Sequence, residues 1–180
     1  SNTTGTGNVA VGAEALDANT TANNNTAVGK AALGANTTGT RNTAVGANAL
    51  LSNTTGTDNV AVGFEALAAN TTSSNNTAVG DKALNDNTTG SANTAMGADA
   101  GQSLTTGINS VFLGYAAGES TGTGSYNTFV GFRCADANTS GQYNTAVGIH
   151  SLGGNSTGSD NVAIGDYALF NNTTASNNTA

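Results

Sequence analysis

His150 and Cys134 are the only histidine and the only cysteine of this 180-residue chain, so they are the first place to look for nucleophilic or metal chemistry. A nucleophile needs a base within hydrogen-bond reach, and a zinc site needs three or four converging ligands. One histidine and one cysteine, 16 residues apart, supply neither, and a lone cysteine forms no internal disulfide. Acids such as Asp58 and Asp160 do not recur in every repeat, and the glycine-rich calcium-binding nonapeptide is absent. The glycines close short strand-like runs and precede no helix, which argues against a phosphate cradle. The expectation is a non-enzymatic protein with no catalytic residue, cofactor or metal. One modification remains open: Asn19, Asn36, Asn53, Asn70, Asn87, Asn138, Asn155 and Asn172 each begin an N-x-S/T glycan acceptor sequence. The competing reading is that these asparagines stack in amide ladders and carry no sugar.

What must position any site is a strict internal repeat. Gly12, Gly29, Gly46, Gly63, Gly80, Gly97, Gly114, Gly131, Gly148 and Gly165 follow one another at intervals of 17 with no insertion or deletion. Disordered chains drift in length, whereas a stack of coils loses a column of contacts if one residue is added. With asparagine as position 1, the unit reads N-T/V-A-V-G-x-x-A-L-x-x-N-T-T-G-x-x, with coils starting near residues 8, 25, 42, 59, 76, 93, 110, 127, 144 and 161. Position 2 is valine at Val9, Val60, Val111 and Val162, a second rhythm of 51 residues. The β-branched and small residues before each glycine predict a short strand and a turn, and N-T-T-G argues against a helix. Residues 1–180 are therefore read as one all-β segment of a longer fibrous protein, a parallel β-solenoid of about ten 17-residue coils. At about 4.8 Å per coil the rod would be roughly 48 Å long.

Two columns predict which way the strand faces. Position 3 is alanine in most copies but Phe112 and Phe129 in two, and those same coils replace the usual position-9 leucine by Gly118 and Ala135, with Gly101 in the coil before. When one column grows the other shrinks, so both fill one interior of fixed volume. The predicted interior is Leu16, Leu33, Leu50, Leu67, Leu84, Phe112, Phe129, Leu152 and Leu169. Position 4 then points out, yet it is apolar in every copy: Val11, Val28, Val45, Val62, Val79, Met96, Leu113, Val130, Val147 and Ile164. A strand apolar on both faces is covered on both, so this column is read as the seam of a homo-oligomer. The competing reading places position 4 inside a wider coil.

The stretch Asn161-Val162-Ala163-Ile164-Gly165, with Asn109-Ser110-Val111 as the other near copy, resembles the N-S-V-A-I-G head repeat of trimeric autotransporter adhesins. The resemblance covers essentially the whole chain. It implies a left-handed parallel β-roll, trimerised side by side and displayed as an adhesive head at a cell surface; similar arrays occur in phage tail-fibre-like proteins. The expected function is an extracellular structural and adhesive segment at a cell surface or on a virion fibre. The alternatives are a phage tail-fibre segment, or an ice-binding or filament-forming solenoid. The expected partners are further copies of the chain and a surface protein or polysaccharide. A net charge of −7 with four Lys and Arg residues speaks against nucleic acid, and no apolar run is long enough to insert in a membrane. Ligand contacts are expected in the variable columns 6, 7, 10, 11, 16 and 17, which include Phe64, Tyr126, Phe132, Tyr143 and Phe170. For ice binding, the position-12 asparagines and position-14 threonines are expected to share one polar row.

Overall fold

The computed structural model describes residues 2–180. Ten three-residue strands follow the predicted coil starts: β1 (Val9–Val11), β2 (Thr26–Val28), β3 (Thr43–Val45), β4 (Val60–Val62), β5 (Thr77–Val79), β6 (Thr94–Met96), β7 (Val111–Leu113), β8 (Thr128–Val130), β9 (Thr145–Val147) and β10 (Val162–Ile164). They form one sheet in chain order, and every neighbouring pair is parallel. Val9 lies opposite Thr26 and Ala44 opposite Ala61, so the sequence period is also the strand register. A parallel β-solenoid results, and no helix occurs among the described residues.

The strand is short because position 5 ends it. Gly29 has φ 137° and Gly63 has φ 141°, in territory that only glycine occupies readily. A Cβ on Gly29 would sit 2.6 Å from the carbonyl carbon of Gly46 in the next coil, so glycine is required by space as well as by conformation. The chain then turns through positions 6 to 11, closed by bonds such as Ala15 N–H to Gly12 O (3.3 Å) and Asn19 N–H to Leu16 O (3.2 Å). Even this turn is laddered between coils, with Leu33 N–H donating to Ala49 O at 3.0 Å.

Positions 7, 9 and 17 are left-handed, which sequence reading did not anticipate for leucine. Leu33, Leu50 and Leu67 hold φ of 51°, 51° and 52° with no exposed surface. The left-handed conformation costs about 1–2 kcal/mol, while complete burial of a leucine is worth about 1.5–3 kcal/mol. Burial and the inter-coil bond together hold the strained residue in place.

The interior is as predicted at positions 3 and 9. Leu33, Leu50, Leu67, Leu84, Leu152, Phe112 and Phe129 are completely buried, and Leu16 is 6% exposed. Leu169, in the last coil, is only partly buried against the core. The exchange of volume is direct. A Cβ on Gly118 would lie 2.6 Å from Phe112 Cε1 and 2.9 Å from Phe129 Cδ2, and one on Gly101 would lie 2.8 Å from Phe112 Cδ2. The two phenylalanine rings pack at 5.8 Å and 57°.

Position 8 adds a buried column of alanines with Cys134, and beside this apolar part run two asparagine columns. At position 12, Asn53 Nδ2 donates to Asn36 Oδ1 (3.0 Å) and to the Gly56 carbonyl (3.1 Å). At position 1, Asn42 Nδ2 donates to that same Gly56 carbonyl (2.8 Å), and its Oδ1 accepts the backbone N–H of Asn59 (3.0 Å). Both columns are fully buried in the central coils, so every satisfied amide avoids a penalty of about 1–3 kcal/mol. The position-12 ladder is broken where Leu104 and Thr121 stand in its column, beside the phenylalanine pair. Asn87 Oδ1 and Thr121 Oγ1 are accordingly buried without a partner.

Candidate functional site

Three surfaces are available, and the columns sort onto them by how each segment meets the interior. On the strand face, positions 2 and 4 flank the inward position 3. Val11 (56% exposed), Met96 (48%) and Ile164 (62%) are open, Val45 and Val147 are exposed, and Val28, Val62, Val79, Leu113 and Val130 are half-buried. Position 4 therefore lies outside its own coil, and the wider-coil reading does not describe this chain.

The wall formed by positions 12 to 17 follows a different rule. Positions 12, 15 and the following position 1 turn inward, a three-residue step and not the alternation of a strand, while every described position-14 residue is exposed. The expected mixed row of position-12 asparagines and position-14 threonines thus does not form, because the asparagines are committed to the interior ladder. Position-13 hydroxyls are also engaged, as in Thr37 Oγ1 donating to Thr54 O at 3.0 Å. For the position-12 acceptors the glycan reading fails for the same reason, whereas Asn24, Asn75, Asn171 and Asn177, which also begin N-x-T sequences, are exposed. Seven of the eight position-12 acceptors have no exposed surface and Asn172 is half-buried; their Nδ2 atoms donate into the ladder or to a position-15 carbonyl, as in Asn36, Asn138 and Asn172. At position 17, on the wall's edge, Tyr126 and Tyr143 stack at 5.0 Å and 2°. Arg41 and Asp58 pair there across coils through two contacts of 2.6 and 2.7 Å. Arg41 holds the Asp58 carboxyl below its usual range, chiefly by hydrogen bonding, but an exposed pair of this kind adds little stability.

The turn face gathers columns 6, 7 and 10. Tyr115 stacks on Phe132 (5.4 Å), Phe132 meets His150 edge-on (5.6 Å), and His150 contacts Tyr167 (5.1 Å) and Phe170 (6.2 Å). Arg133 Nε donates to Asp136 Oδ2 at 2.8 Å on the same face. His150 is therefore part of an aromatic run across four coils. Sequence reading had picked Phe132 and Phe170 from this run and missed Tyr115 and Tyr167; the signal was their shared columns 6 and 7. Among the described residues no group of three or more His, Cys, Asp or Glu side chains could hold a metal ion.

Cys134 is wholly buried at position 8, its thiol donating to Ala146 O at 3.2 Å, as Ser151 does to Ala163 O at 2.8 Å one coil on. Burial pushes the thiol pKa up to about 12 from an ordinary value of 9.0. The folded state therefore favours the protonated form. Its contribution is fully present below pH 9 and is lost as the pH rises through about 12. Two results are expected: Cys134 reacts with a thiol reagent only when the coil opens, and Cys134→Ala flattens the loss of stability between pH 9 and 12 relative to the parent chain. Denaturation midpoints of both chains across that range measure it, and parallel curves would refute it.

No protein-family model matches the chain, and comparison with curated proteins and with solved structures finds no match to it.

Proposed function

We propose that this chain is a non-enzymatic extracellular segment of an adhesive fibre, related in kind to the heads of trimeric autotransporter adhesins and assembled as a homotrimer along its strand face. The observation that carries the reading is the outward apolar side chain at position 4 in all ten coils. Such a stripe runs the length of the rod, roughly 48 Å at the parallel-strand spacing, and continuous apolar surface on that scale is normally an interface. Closed cyclic assembly would bury it with one repeating contact per coil. The variable turn and wall columns would then face outward and carry the adhesive contacts.

Light scattering on a size-exclusion column is the direct test. The expected mass is about three times the 17.4 kDa chain. Val62→Asp together with Val79→Asp should shift it to a single chain without loss of coil structure, because both side chains lie outside the coil. A parent chain that elutes as a monomer would overturn the trimer. A phage tail-fibre segment would use the same seam. The ice-binding alternative keeps a single exposed row, the position-14 hydroxyls from Thr21 to Thr174, and absence of thermal hysteresis would remove it.

A further inference from the structure

The turn face carries far more charge and far more exposed aromatic surface than the coil itself needs. Positions 6 to 11 hold nine of the eleven carboxylates, from Glu14 to Asp166, against three cations, Lys30, Lys82 and Arg133. This one face therefore carries a net −6 of the chain's −7. On its C-terminal half lie Tyr115 (50% exposed), Phe132 (47%), Tyr167 (53%) and Phe170 (38%), joined through His150 into one contiguous cluster. Stacking of the coils does not require these rings, since their columns 6, 7 and 10 hold Ala13, Asn48 and Gly34 in earlier coils that stack in the same register.

We propose that the turn face of coils 7 to 10 is a docking surface for a cationic protein segment rich in Lys and Arg. The assignment rests on the adhesive reading above and names the partner's chemistry. Two features select a cation. Glu119, Asp136 and Asp166 lie in the same turns as the rings; Arg133 pairs with Asp136 and also attracts Glu119, so one cation stands against three carboxylates. The rings add a second attraction, because an aromatic face carries negative potential and an arginine or lysine over it gains beyond simple charge pairing. The four rings keep between 38% and 53% of their surface exposed, so they are open to such a contact. Charge decides against the other occupants. A second copy would set one acidic face against another, and a nucleic acid or anionic bilayer would be repelled.

A labelled oligo-arginine peptide, titrated by fluorescence anisotropy at low and moderate salt, tests the proposal on the intact chain. The parent chain should bind, with affinity falling as salt rises. Phe132→Ser with Tyr167→Ser leaves the charge unchanged and should weaken binding about tenfold. Asp17→Asn with Glu65→Gln removes two charges from the same face away from the rings and should weaken it by no more than about threefold. Circular dichroism confirms that the coils persist, and Tyr115→Ser stands in if the double ring variant does not fold. Three results would overturn the proposal: no binding by the parent chain, equal binding by the ring variant, or ring-dependent binding of a neutral oligosaccharide in place of the peptide. The trimer is judged separately by mass, so a trimer that ignores the peptide removes this inference and leaves the seam. A monomer that binds the peptide does the reverse.

Discussion

Gly80→Ala is expected to lower stability by about 3 kcal/mol or more, the sum of backbone strain and overpacking that are each worth about 1–3 kcal/mol. Gly80 has φ 144°, and its new methyl would lie 2.5 Å from the carbonyl carbon of Gly97 and 3.0 Å from Ala98 N. Both obstacles are backbone of the next coil, which has no rotamer to give. In a solenoid each coil contacts only its neighbours, so a break in the middle also uncouples the two halves of the stack. Urea unfolding followed by far-ultraviolet circular dichroism should show the midpoint falling sharply or the transition splitting. Thr89→Ala, at an exposed position-14 site, should move it by no more than about 0.5 kcal/mol. Equal midpoints for the two variants would contradict the close approach of adjacent coils at position 5.

The second large effect is a rescue. Gly118→Leu alone restores the commoner residue of its column, yet it should destabilise by about 3 kcal/mol or more, because the side chain must enter space filled by Phe112 and Phe129. Phe112→Ala with Phe129→Ala should also be costly, at about 3–5 kcal/mol for each cavity. Combining all three substitutions rebuilds the alanine–leucine pair in the coil of Gly118, while Gly101 and Ala135 keep the two flanking coils small at position 9. The triple variant should then be more stable than the sum of its parts by about 3 kcal/mol, the upper range for directly coupled neighbours. Additive losses would mean that positions 3 and 9 do not share one volume. The same region lacks its amide rung at Leu104 and Thr121 and leaves Asn87 Oδ1 unpaired. Restoring asparagine at 104 and 121 would therefore be informative only where Gly101→Leu and Ala135→Leu are added to the triple variant, so that the interior again has its regular volume.

The parallel stack, its register and the residues of its apolar interior were legible in the sequence because each has a strict arithmetic signature. An unbroken interval of 17 leaves one way for coils to align. A Phe at position 3 matched by a Gly or Ala at position 9 reports a conserved volume. The outward direction of position 4 followed from strand alternation alone, and Val11, Met96 and Ile164 are indeed exposed. The asparagine ladders were expected from recurrence. Their convergence on one carbonyl, Gly56 O, was not, because it joins positions 1, 12 and 15 of a unit, with position 1 separated by 14 residues from the carbonyl it meets.

What only the tertiary structure decided lies in the turn and the wall. Strand periodicity assigned position 12 and position 14 to a common face, but that segment is not a strand, and the pull of the amide ladder buries Asn36 while Thr38 stays in solvent. Leucine is a poor candidate for a left-handed residue on local grounds, and only the gain from burying Leu67 and the inter-coil bond to Ala83 O hold it there. The aromatic run of Tyr115, Phe132, His150, Tyr167 and Phe170 was scattered over three columns of the sequence. It becomes one surface because the turn folds columns 6, 7 and 10 together while stacking brings successive coils within ring contact. Sequence by itself sets local preference and period; the gathering of distant columns depends on how each turn closes against the coil above, which no single repeat encodes.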